Sequence, residues 1–105
     1  MKNIAVIGAG TMGNGIAHTF AQSGFSVQLI DIDEIALKKG LQNISKNLER
    51  MLQKGKISAI EKKQTLDNIS LFTSLEQGVQ SASLVVEAAT ESEAIKTKIF
   101  KTLDQ

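Results

Sequence analysis

Six residues near the amino terminus, Gly8-Ala9-Gly10-Thr11-Met12-Gly13, constrain the fold more than any other stretch of the chain. Glycines at that spacing cluster in many turns, so the flanks decide what the motif means. Before it stands Lys2 to Ile7, a short continuous apolar run of the kind a strand buried on both faces requires. After it, Gly13, Ile16, Ala17, Phe20 and Ala21 recur at intervals of three and four, one face of a helix from Thr11 to Ser23. A glycine turn from buried strand to helix is the context of a dinucleotide-binding fold. Gly8 permits the tight turn, Gly10 leaves room for a pyrophosphate to approach the backbone, and Gly13 lets the helix lie close to the strand. Gly8, Ala9, Gly10, Thr11, Met12 and Gly13 are therefore the predicted phosphate cradle, with unpaired N–H groups at the helix start facing the anion.

Beyond Gly24, placed for a left-handed helix cap, Ser26 to Ile30 reads as a second strand ending at Asp31. Asp31 lies 18 positions past Gly13, close to where the fingerprint places an acid that accepts from the adenosine ribose hydroxyls. A carboxylate there repels a 2′-phosphate, and no Lys or Arg occurs between Asp31 and Lys38, so NAD is expected over NADP. Asp33 and Glu34 suit the start of the next helix, where acids complement the dipole.

A long helical excursion follows. Leu37, Leu41, Ile44, Leu48 and Met51 form a continuous apolar stripe, and Gly55 ends the helix. Ser58 and Glu61 make a capping box for a shorter helix reaching Asn68. Ile69 to Thr73 reads as a third strand, Leu75 to Gln80 as a short crossover helix, and Leu84 to Ala88 as a fourth strand, with Glu87 either hydrogen-bonded in the interior or at the strand tip. Thr90 and Glu93 offer another capping box, and Ile95, Ile99, Phe100 and Leu103 give a last helix its apolar face. Strands alternating with helices imply parallel pairing with right-handed crossovers, hence an α/β, Rossmann-like doubly wound sheet in the order third, second, first, fourth. The fourth strand is then expected to present an uncovered edge.

Composition closes off other classes. A chain of 105 residues suits one domain. A net charge of +1, a single arginine and the lack of Trp and Tyr speak against nucleic acid and anionic lipid as partners. Without cysteine there is neither a disulfide nor a thiolate metal site. No apolar run approaches the roughly 20 residues of a membrane span, and the start of the chain does not read as a signal peptide, so a soluble, cytoplasmic protein is expected. His18, the only histidine, lies beside the small-residue face of the first helix, away from strand tips where a catalytic base has reach, and reads as structural or solvated.

The segment GAGTMGNGIAHTFAQSGFSVQLID resembles the opening of the L-3-hydroxyacyl-CoA dehydrogenases of the 3-hydroxybutyryl-CoA type. The excursion through Lys54-Gly55-Lys56-Ile57-Ser58 is similar to that family's helical pair, and LVVEAATESEAIKTKIF to its fourth strand and following helix. The resemblance implies that residues 1–105 are an incomplete NAD-binding domain of a longer enzyme of fatty acid metabolism, cut after the fourth strand and its helix. It also implies that Glu91 and Lys96 lie near the nicotinamide half of the cofactor, and that Lys54 contacts the coenzyme A part of the substrate. Asn47 stands where the family commonly has a serine contact. Lys38, Lys39, Lys46 and Lys56 read as a solvated face. The family's catalytic histidine and glutamate, its serine and asparagine, and its helical dimerisation domain all follow the fourth strand and are outside this sequence. The implied reaction is oxidation of a 3-hydroxyacyl-CoA to a 3-ketoacyl-CoA by an NAD-dependent homo-oligomer, with this fragment alone inactive. Two other readings stay open: a stand-alone dinucleotide-binding or regulatory module without chemistry, and the cofactor domain of another β-hydroxyacid dehydrogenase, against which the Lys54–Ser58 excursion argues.

Overall fold

The structure, a computed structural model, describes residues 2–88 and the backbone of residues 96–99. Strand β1 (Asn3–Ile7) leads through the glycine turn into helix α1 (Thr11–Gln22), which returns to β2 (Ser26–Ile30). Helices α2 (Glu34–Gln53) and α3 (Ala59–Asp67) form the excursion before β3 (Ile69–Phe72). The short α4 (Leu75–Val79) then crosses to β4 (Leu84–Glu87). The sheet order is β3-β2-β1-β4, all parallel, continued by β5 (Lys96–Ile99) at the edge beyond β4.

Strands β1, β2 and β4 bury both faces because helices cover both, whereas β3 exposes Ser70 and Leu71. Ile4 and Val6 of β1, Val27 and Leu29 of β2 and Val86 of β4 pack under α1, α2 and α3. Ala5, Ile30 and Val85 point the other way, where Val79 of α4 and Ala82 cover them. On α1, Gly13, Ala17 and Ala21 are buried and small enough to bring the helix close to the sheet, while the buried Asn14 lies against Gly40 of α2. Phe20 and Phe25 close the end of that layer edge to face, their ring centroids 5.6 Å apart. Ile44 and Leu48 of α2 are fully buried, so truncation of either to Ala is expected to cost about 2–5 kcal/mol.

The punctuation read from the sequence is found in place. Gly24 and Gly55 have φ of 99° and 75°. Asp33 caps α2 by accepting from Ile35 N–H at 3.0 Å, with Glu34 in the first turn. Ser58 and Glu61 form both halves of the capping box, at 2.8 and 3.1 Å.

The last segment departs from the expectation. Residues 96–99 were expected within a helix, and the edge of β4 was expected to be open. Instead Lys96–Ile99 lies antiparallel to β4, pairing Leu84 with Ile99 and Glu87 with Lys96. The reason is in the edge itself: β4 offers a row of backbone N–H and C=O groups that a neighbouring segment satisfies by becoming a strand. Lys96-Thr97-Lys98-Ile99 also alternates lysine with β-branched residues at period two, a strand signal beneath the helical spacing. The Thr90–Glu93 capping box, Ile95, Phe100 and Leu103 lie outside the described residues.

Candidate functional site

The glycine turn and the tip of β2 come together at the carboxyl end of the parallel strands. Gly8 leaves β1 with φ 101°, a region that L side chains avoid, and its N–H donates to Ile30 C=O at 2.7 Å. A Cβ on Gly13 would lie 1.7 Å from Gly8 O, so any side chain there collides with backbone. Around Gly10 the situation is reversed: a Cβ would find nothing within 4 Å. That open space faces the start of α1, the room a pyrophosphate needs.

The start of α1 is chemically distinct. Helices α2, α3 and α4 have side-chain caps from Asp33, Ser58 and Ser74. Helix α1 has Gly10 at its N-cap, no side-chain cap and no acidic residue in its first turn. Its first N–H groups, from Thr11, Met12 and Gly13, therefore lack intrahelical acceptors and point toward an anion's position. The first intrahelical bond runs from Asn14 N–H to Gly10 C=O at 2.8 Å.

Asp31 stands beside this turn, anchored rather than free to swing. Its Oδ2 accepts from Ala9 N–H at 3.0 Å and its Oδ1 from Asp33 N–H at 2.9 Å. It is not the cap of α2, a task Asp33 performs. Next to it opens a cavity of about 240 Å³ lined by Ile7, Gly8, Ile30, Asp31, Ile32 and Leu75. Ile32 is 89% exposed at its lip. An apolar slot beside a fixed carboxylate and a bare helix start matches the three chemical parts of an adenosine diphosphate: flat ring, ribose hydroxyls and pyrophosphate. The residues present thus fit a dinucleotide.

Ile32 and Leu75 were not singled out from the sequence, although an isoleucine between two aspartates just past a strand end was a signal available there. Gly40 was also missed. A Cβ on it would come 3.0 Å from Ala9 O, so its lack of a side chain lets α2 press against the back of the glycine turn.

Asn47 and Lys54 both belong to the excursion, two helical turns apart on one face of α2, with Lys54 as its C-cap. Lys54 is exposed and Asn47 partly buried. Arg50, exposed between them at helical spacing, shares that face and was passed over in the sequence. Lys62 Nζ of α3 meets Glu49 Oε1 of α2 at 2.6 Å, bracing the pair of helices. That hydrogen bond and the lysine's charge hold the Glu49 carboxyl below its ordinary value of 4.5. Lys38, Lys39, Lys46 and Lys56 are exposed, as expected.

His18 is partly buried two turns into α1, where its Nε2 lies 2.8 Å from Gln22 Oε1, an arrangement within one helix. Glu87 closes β4, partly buried and opposite Ile7 in register. Glu91 lies outside the described residues, and Lys96 is described only as backbone in β5. Among the described residues no helix is long and apolar enough to cross a membrane, and no group of His, Cys, Asp and Glu could hold a metal ion.

Comparison with known proteins gives one consistent result. The family model described as "3-hydroxyacyl-CoA dehydrogenase, NAD binding domain" matches residues 3–105. The chain is 43% identical over its whole length to a probable 3-hydroxybutyryl-CoA dehydrogenase of Bacillus subtilis, covering 36% of that protein. It is 41% identical over 98% of its length to the 3-hydroxybutyryl-CoA dehydrogenase of Bradyrhizobium diazoefficiens, covering 35% of it. Among solved structures, the (S)-3-hydroxybutyryl-CoA dehydrogenase of Ralstonia eutropha superposes with a TM-score of 0.83 at 36% identity, over 88% of this chain and 32% of that one. The chain thus spans about a third of the length of the curated relatives it matches.

Proposed function

The chain belongs to the family of 3-hydroxyacyl-CoA dehydrogenase NAD-binding domains, and on that premise we propose that it is the cofactor-binding part of an oxidoreductase interconverting 3-hydroxyacyl-CoA and 3-ketoacyl-CoA. The observation that carries the reading is the uncapped start of α1 at the open face of Gly10, beside the anchored carboxylate of Asp31. NAD, held by these residues, would supply the hydride acceptor for oxidation at C3 of the substrate. This chain's own part is to bind and orient. The N–H groups at the start of α1 take the pyrophosphate oxygens, Asp31 takes the ribose hydroxyls, and the slot between Ile32 and Leu75 takes the ring. Asp31, Asp33 and Glu34 disfavour a 2′-phosphate, which supports NAD over NADP.

The exposed Lys54, with Asn47 on the same face, is assigned to the coenzyme A part of the substrate, where an ammonium suits a phosphate. Glu91 and Lys96 are assigned to the nicotinamide end. Acyl-CoA as substrate and a homo-oligomeric assembly belong to the same proposal, supported by the sequence resemblance, as does a cytoplasmic setting, with which the cysteine-free composition agrees. The test is NADH formation from 3-hydroxybutyryl-CoA by the full-length protein that carries this chain. Turnover with NAD and weak turnover with NADP are expected. Binding of NAD without oxidation of any 3-hydroxyacyl-CoA would instead indicate a module that binds the dinucleotide without chemistry.

A further inference from the structure

Asp31 sits where three stretches of backbone converge. Its side chain holds Ala9 N–H in the glycine turn and Asp33 N–H at the entry to α2, while its own N–H donates to Phe72 C=O on β3 at 3.1 Å. Ala9 is only 3% exposed, so water is a poor substitute partner for its N–H once the carboxylate is removed. Ala9 also lies between the positive-φ Gly8 and Gly10, whose C=O accepts the first helical bond of α1. Fixing Ala9 therefore fixes the direction of the N–H groups that follow at Thr11, Met12 and Gly13.

We infer that Asp31 is a positioning residue for the phosphate cradle as well as the acceptor for the ribose. The inference rests on the dinucleotide reading and deepens it. Each carboxylate oxygen receives one backbone N–H and keeps acceptor capacity for a hydroxyl, so the ligand and the turn do not compete. One side chain thereby sets both ribose recognition and pyrophosphate affinity. Exchanging Asp31 to admit a 2′-phosphate consequently weakens the grip on every dinucleotide.

The experiment uses the full chain as wild type, Asp31→Ala and Asp31→Asn, titrated with NADH and with its analogue carrying 2′,3′-dideoxyadenosine. The analogue keeps the pyrophosphate and lacks the hydroxyls that Asp31 addresses. Asp31→Ala should bind the analogue about tenfold more weakly than wild type, as expected for losing a hydrogen bond to a charged group. Asp31→Asn, whose single carbonyl oxygen accepts from Ala9 N–H while its NH2 group gives up the bond from Asp33 N–H, should restore analogue affinity to within about threefold of wild type while leaving NADH weakened. Equal analogue binding by wild type and Asp31→Ala, with NADH binding impaired, overturns the positioning role and leaves the dinucleotide reading intact. Failure of wild type to bind NADH overturns that reading and this inference together. Should Asp31→Ala not fold, the Ala9 amide proton decides by NMR of ligand-free protein. An upfield move from wild type to Asp31→Asn supports the clamp, because an amide oxygen accepts more weakly than a carboxylate, and an unmoved resonance overturns it.

Discussion

The glycine turn and the α2–α3 pair serve the proposed reaction by opposite means. In the turn, the proposed function resides in backbone: Gly13 has no room for a side chain, and Gly10 has open space that the proposed ligand would take. In the helical pair, the candidate contacts are side chains on a scaffold that Ile44, Leu48 and the Glu49–Lys62 pair hold together without them. A backbone site is unforgiving and easy to read, because only glycine satisfies it. A side-chain site tolerates replacement in the fold, so its chemistry has to be inferred from position and charge.

The sharpest test of the contrast is Gly13→Val. Its Cβ would collide with Gly8 O, a backbone atom that cannot retreat without opening the turn. We expect a loss of about 3 kcal/mol or more in urea unfolding, together with loss of NAD binding. A stable variant that still binds NAD breaks the comparison. Gly10→Val comes next and separates ligand space from folding space. Its stability should stay within about 1 kcal/mol of wild type, while calorimetry should show NAD affinity falling about a hundredfold or more, about 2.7 kcal/mol. Retained tight binding would falsify the phosphate cradle.

On the helical side, Lys54→Ala in the full-length protein should raise the KM for acyl-CoA about three- to tenfold, with kcat and the KM for NAD unchanged, because a lost phosphate contact removes uniform binding. Equal effects on both substrates point to a structural role for the C-cap of α2.

The smallest expected effect concerns pH. Glu49 is held below its ordinary value by Lys62, so its folded value lies under its unfolded one. The unfolded state then takes up protons first as pH falls, and the contribution of the pair, fully present above about 4.5, is lost as pH drops through the folded value. Thermal melts from pH 6 down to pH 3 should show a slightly steeper loss of stability for wild type than for Glu49→Gln. Parallel curves remove this pair from the account of what braces the helices.

Much of the candidate site was legible because its residues are defined by local chain geometry. The turn glycines, Asp31, the Asp33 cap and the Ser58–Glu61 box each answer to a requirement within a few residues of themselves, and each stands where the pattern put it. Ile32, Leu75 and Gly40 were passed over because their roles exist only across elements: Ile7 of β1, Ile30 of β2, Ile32 just beyond it and Leu75 of α4 share one slot, and Gly40 matters only where α2 meets Ala9. Arg50, three and four residues from Asn47 and Lys54, was legible at helical spacing in the sequence and was passed over because the resemblance pointed only to its two neighbours.

Residues 96–99 mark the boundary between what sequence alone determined and what tertiary structure decided. Composition, periodicity and the glycine motif were enough for a doubly wound sheet in the order third, second, first, fourth, because buried parallel strands and their crossover helices leave strong patterns along the chain. The state of Lys96–Ile99 depended on something no local pattern carries, the hydrogen-bonding demand of the β4 edge, and that demand made it a strand where helical spacing pointed to a helix. The hold of Asp31 on Ala9 is of the same kind. Sequence placed a carboxylate at the tip of β2, and only the packing of β1 against β2 brought a buried N–H within 3.0 Å of it.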